Sequence, residues 1–159
     1  MAIDLHAFWD TNNPKNPPLT DEMLRTAEKL LDVQLPPLLV ALLRLQNGGS
    51  TNTFDFPMPQ APWRENRVRM HELFGIVTDE GLKSNLNILD TAYMTEEWDL
   101  PERQVLLWGE GHWWVTLDYR TSTEPTVLWI DADDAVEMLI APSFEAFYNG
   151  LVPAAPMEG

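Results

Sequence analysis

Residues 110–120, EGHWWVTLDYR, alternate with period two. Trp113, Val115, Leu117 and Tyr119 fall on one face of an extended chain, and His112, Trp114, Thr116 and Asp118 fall on the other. The first face is wholly apolar or aromatic, as a core-facing side of a strand should be. The second sets a large aromatic between a histidine and a threonine, with a carboxylate beyond. Gly111 and the turn residues 121–125 (TSTEP) bound the strand, and TVLWID, residues 126–131, supplies another directly after it. The two read as a hairpin at the centre of a sheet. With Tyr119 opposite Thr126, Trp114 falls opposite Asp131.

Elsewhere the spacing changes to that of helices. Thr20 is an N-cap, with Asp21 and Glu22 in the first turn where the helix dipole favours them. Met23, Leu24, Ala27, Leu30 and Leu31 form an apolar stripe, which predicts a helix over residues 21–32. Pro36 or Pro37 opens a second helix carrying Leu38, Leu39, Leu42, Leu43 and Leu45, which stops at Asn47-Gly48-Gly49 with a left-handed glycine cap. Before these helices, a short strand or turn near residues 3–9 leads into an irregular arm. After them, residues 50–65 read as a proline-spaced loop holding Phe54, Phe56 and Trp63. A strand over 70–77, a helix over 86–98 stopped by Pro101, and a strand over 104–108 lead into the hairpin. An acidic turn over 131–134, a strand over 136–141 and a helix capped by Ser143, with Phe144, Phe147 and Leu151 on one face, complete the chain. Residues 153–159 read as a frayed tail.

Composition narrows the classes. At 159 residues the chain reads as a single domain, with its core over about 19–151, and 45% hydrophobic residues with seven tryptophans exclude general disorder. The absence of cysteine excludes disulfides, thiolate metal sites and cysteine nucleophiles. No apolar run approaches the ~18 residues of a bilayer span, and the N-terminus has no signal-peptide pattern, so a cytoplasmic protein is expected. Ten Lys and Arg stand against twenty-five Asp and Glu, a net charge of −15. Such a chain is repelled by nucleic acid and anionic membrane and steered towards a basic partner.

No serine elbow, P-loop or metal-spaced histidine set occurs among His6, His71 and His112. His112 and Asp118 share a strand face, but six residues at ~3.3 Å each separate them by ~20 Å. Asp131, Asp133, Asp134 and Glu137 lack the turn glycine and terminal glutamate of a calcium loop. Glu110 and His112 are the remaining acid–base pair, the least favoured reading. The expectation is therefore no catalytic residue, no metal and no cofactor.

Several blocks in order resemble the SMI1/KNR4 family of the SUKH superfamily. They are Gln34-Leu35-Pro36 with residues 42–49 (LLRLQNGG), HELFGI at 71–76, Gly111-His112-Trp113-Trp114 with LDYR at 117–120, Glu124-Pro125-Thr126-Val127 with Trp129-Ile130-Asp131, and IAPSFEAF at 140–147. The resemblance implies an α+β fold, a mostly antiparallel twisted sheet with helices packed against it. It also implies a non-catalytic immunity protein that binds and neutralises a bacterial toxin, with a regulatory or scaffold role as the alternative. The 50–65 stretch departs from the family's plainest pattern. Together with the charge, this points to a protein partner with a basic surface. The expected contact face is Glu110, His112, Trp114 and Asp118, with Asp131, Asp133 and Asp134 at its rim. Trp113 and Trp129 are expected to fill the sheet–helix interface, and Trp114 to stand exposed as an anchor.

Overall fold

The computed structural model describes residues 3–10, 16–58, 67–78, 87–109 and 112–154. Among them, helices pack on two antiparallel sheets, the α+β architecture expected. The four-stranded sheet has the order β3-β4-β5-β6, with β3 Gln104–Gly109, β4 Trp113–Asp118, β5 Thr126–Asp131 and β6 Val136–Ala141. The three-stranded sheet has the order β2-β1-β7, with β1 Gly49–Pro57, β2 Arg67–Leu73 and β7 Val152–Pro153. The Phe74 amide, just past β2, donates to the Leu107 carbonyl of β3 and so ties the two sheets together.

Local chemistry accounts for the helices. In α2, Asp21–Leu31, the Thr20 hydroxyl accepts from the Met23 amide, and Asp32 closes the end in the left-handed conformation. Ala27 is the fully buried position of this helix; Leu30, assigned to its apolar stripe by spacing, is 69% exposed. In α3, Pro37–Leu45, Pro37 stands in the first turn and Leu39, Leu42 and Leu43 are buried, whereas Leu45 is exposed. The cap of α3 differs from the expected glycine: Gln46 ends it in extended conformation, and Gly48 and Gly49 take positive φ beyond it. Their role is close approach, since a Cβ on Gly48 would stand 2.4 Å from the Gly75 amide nitrogen. The buried Asn47 side chain secures that approach. It donates to the Pro17 and Ile76 carbonyls and accepts from the Ile76 amide. In α5, Phe144–Gly150, the Ser143 hydroxyl accepts from the Ala146 amide, and Phe144 and Phe147 are buried.

Several expectations are corrected. Residues 3–9 hold a single helical turn, α1 Leu5–Phe8, followed by a bridge from Trp9 to Thr51. Residues 49–57 are strand β1, not loop: Phe54 to Pro57 pair with Met70 to Arg67 of β2. Pro57 can end β1 because the missing amide costs a ladder nothing at its terminus. The helical stretch before β3 opens as a 3-10 turn, Ile88–Asp90, that runs into α4, Thr91–Trp98, while Leu86 lies outside the described residues. Tyr93, assigned to its packed side, is exposed.

The central hairpin forms, shifted by one residue. Asp118 pairs with Thr126, Trp114 with Ile130 and Trp113 with Asp131. Tyr119 has left the β4–β5 ladder: its amide donates to Arg103 and its hydroxyl to the Gln34 carbonyl at the α2–α3 connection. Removing Tyr119 from the ladder closes the hairpin one pair earlier.

Candidate functional site at the acidic end of the sheet

The decisive correction concerns Trp114. It is 4% exposed, and Val115, Thr116 and Leu117 beside it are fully buried, so both faces of β4 are covered. Trp114 packs edge-on to Phe74 at 6.4 Å, and its ring lies against Gly109, where a Cβ would stand 2.3 Å from it. Trp114 is a core residue and cannot serve as an exposed anchor. Trp113, assigned to the interior, is half-buried instead; its ring lies 6.4 Å from that of Trp129, also half-buried.

Asp118 leaves the expected cluster as well. It lies at the far end of β4 and pairs with Arg120 at 2.9 Å, while Arg120 also holds Glu137 of β6. Behind it, the buried Thr116 hydroxyl donates to Gln104 Oε1 at 2.6 Å, and Gln104 Nε2 donates to Asp118 Oδ1 at 2.8 Å. Burial works to raise the Asp118 carboxyl. The hydrogen bonds from the Arg120 side chain and amide and from Gln104 outweigh it and hold the pKa below the ordinary aspartate value. The same contacts, Glu137 first, push the Arg120 guanidinium further up. This is a structural network running from core to surface.

The remaining expected residues do converge. The hairpin between β5 and β6 turns through residues 132–135, with Ala135 in the left-handed region. Asp131 Oδ1 accepts from the Asp133 and Asp134 amides at 2.9 and 3.2 Å, which folds the turn and presents those two carboxylates outward. The His112 carbonyl accepts from the Ala132 amide, and His112 Nδ1 lies 3.1 Å from Asp133 Oδ2. Both side chains are well exposed, at 70% and 60%. Trp98, the last residue of α4, meets the His112 ring edge-on at 6.2 Å. Glu110 lies outside the described residues. One end of the sheet thus gathers His112, Asp131, Asp133 and Asp134 with Trp98, Trp113 and Trp129. Trp98 carries no periodic signal in the sequence, and its place comes only from where α4 ends. The C-terminal part of the sequence is acidic: from residue 104 to Gly159, Arg120 is the one Lys or Arg beside nine Asp and Glu.

This arrangement is an open surface. Among the described residues no group of three or more His, Asp or Glu side chains is placed to hold a metal ion. A shallow cleft of about 510 Å³ lies elsewhere, beside Tyr119, and Glu28, Asp32 and Arg103 in its lining are already engaged. Glu28 accepts from the Leu35 amide, and Arg103 pairs with Asp32. No helix among the described residues is long and apolar enough to cross a membrane.

The model of the SMI1/KNR4 family (SUKH-1) matches residues 18–150. The chain belongs to the SMI1/KNR4 family. The match opens just before the Thr20 cap and closes at the end of α5, so all four strands of the acidic sheet lie within the SMI1/KNR4 region. No curated protein and no solved structure matches the chain.

Proposed function

We propose that this SMI1/KNR4 protein is an immunity protein, a non-catalytic inhibitor that binds and neutralises a cognate bacterial toxin bearing a basic surface. The observation that carries the reading is the convergence of His112, Asp131, Asp133 and Asp134 with half-buried tryptophans at one end of the sheet. Partly exposed tryptophans ringed by charge are what anchored, steered interfaces are made of. The acidity fits a basic toxin, such as a nuclease. Membership of the SMI1/KNR4 family supports a protein-binding role. Trp98 takes the anchoring position that sequence alternation gave to Trp114.

Co-expression with the toxin encoded by the adjacent gene tests this. The wild type should protect the cells. Trp98→Ala should release the toxin faster, by about tenfold or more, because losing an aromatic anchor costs ~2 kcal/mol. Asp133→Lys with Asp134→Lys should act mainly by slowing association. Equal protection by both variants would remove the site from this face, and a wild type that protects against no neighbouring toxin would end the immunity reading.

A further inference from the structure

The outer edge of β6 differs from those of β3 and β7. β3, at the opposite side of the same sheet, has its outer backbone groups occupied: Leu107 by the Phe74 amide, and Leu106 by the Thr91 hydroxyl. The short β7 edge ends in Pro153. β6 has neither protection. It pairs with β5 from Val136 to Leu139, and among the described residues no backbone hydrogen bond reaches its other side. Its sequence, VEMLIA, contains none of the lysines or prolines that usually blunt an edge. Val136 and Leu139 are 41% and 56% exposed, while the extra residue Ile140 bulges the strand and is buried. The result is an open run of four residues with an apolar side chain at each end.

We propose that β6 accepts an extended strand of the toxin as a fifth strand of the sheet, and that this strand is basic. The proposal rests on the immunity reading. Main-chain hydrogen bonds along Val136 to Leu139 would supply the pairing, with Val136 and Leu139 packing against alternate side chains of the added strand. Charge selects the occupant. Glu137 of the strand is already held by Arg120, but Asp131, Asp133 and Asp134 lie at its start, so lysines or arginines at that end of the incoming strand meet carboxylates. A second copy of this chain fits poorly, because it would bring its own net charge of −15 to the same seam.

The probe is a nine-residue alternating Lys–Val peptide with blocked ends, beside two controls. One control has alternate backbone amides N-methylated at unchanged charge; the other replaces Lys by Glu. Titration followed by amide exchange should show the Lys–Val peptide binding and the β6 amides slowing by about tenfold or more. N-methylation should weaken binding by about tenfold, as should Val136→Lys with Leu139→Lys in a protein whose thermal melt shows it folded. The proposal is overturned if the Lys–Val peptide does not bind, if the N-methylated or Glu–Val peptide binds as tightly, or if the edge variant binds unchanged. It is equally overturned if the wild type forms a dimer that Leu139→Lys dissolves. Co-expression separates the two readings: protection by the edge variant equal to the wild type sinks the added strand and leaves the immunity role standing. Loss of protection in that variant alone supports the edge.

Discussion

At the scale of single residues, Asp118 and Trp114 show how neighbours decide a role. Asp118 looks like a surface carboxylate on a polar strand face, yet it joins Gln104 and Thr116 inside to Arg120 outside. Because its folded pKa lies below the ordinary value of ~3.9, the unfolded chain binds the proton more readily. Its stabilisation is complete above that value and is lost as pH falls through the folded pKa beneath it. Asp118→Asn should therefore be less stable than the wild type by about 1.5–3 kcal/mol near neutral pH, the range for hydrogen bonds to a charged group. Denaturant melts of both proteins from pH 7 down to about 3 should show the gap closing below the ordinary aspartate pKa. A gap independent of pH would mean that the network does not depend on the charge. Trp114 carries the opposite lesson, a tryptophan among polar residues that is nonetheless packed.

At the scale of elements, β4 shows both what alternation encodes and what it leaves out. Its limits, its pairing with β5 and the burial of Val115 and Leu117 follow from alternation and from the flanking turns. The caps at Thr20 and Ser143 were legible for the same reason, being local chemistry. What alternation cannot report is a second covered face, which depends on Phe74 and Gly109 arriving from other parts of the chain. The one-residue shift has the same origin, because Tyr119 is drawn off to Gln34, 85 positions away. β1 is hidden in the sequence because its glycine, asparagine, aspartate and proline are depleted in strands, and pairing with β2 overrides that. Burial of both faces makes a sharp expectation. Leu117→Ala should cost about 2–5 kcal/mol and Trp114→Ala about 3–5 kcal/mol in equilibrium unfolding. A Trp114→Ala cost within about 0.5 kcal/mol, typical of exposed positions, would restore it to the surface.

At the scale of the whole molecule, charge and framework are separated. The candidate site was legible as an acidic turn and a histidine; its aromatic part was not, because Trp98 reaches His112 through the placement of α4. With a net charge of −15, association with a basic toxin should be fast at low salt. Raising the salt from about 0.02 to 0.5 M should slow association steeply and change dissociation little, since the Debye length is ~10 Å at 0.1 M and shrinks further above it. Stopped-flow or surface-binding kinetics on the purified pair would measure both rates, and a salt-independent association rate would count against steering. The hairpin tip carries a further consequence. Residues 132–135 are folded largely by the Asp131 side chain, and Asp133 and Asp134 stand in solvent. Asn47, by contrast, is buried and hydrogen-bonded to two distant stretches of backbone. Substitution at Asn47 disturbs the framework, whereas substitution at the tip changes only what the surface offers. On the immunity reading, a lineage built on this scaffold can therefore exchange its partner chemistry at Asp133 and Asp134 by single steps, each one viable as a folded protein, and keep pace with a changing adversary.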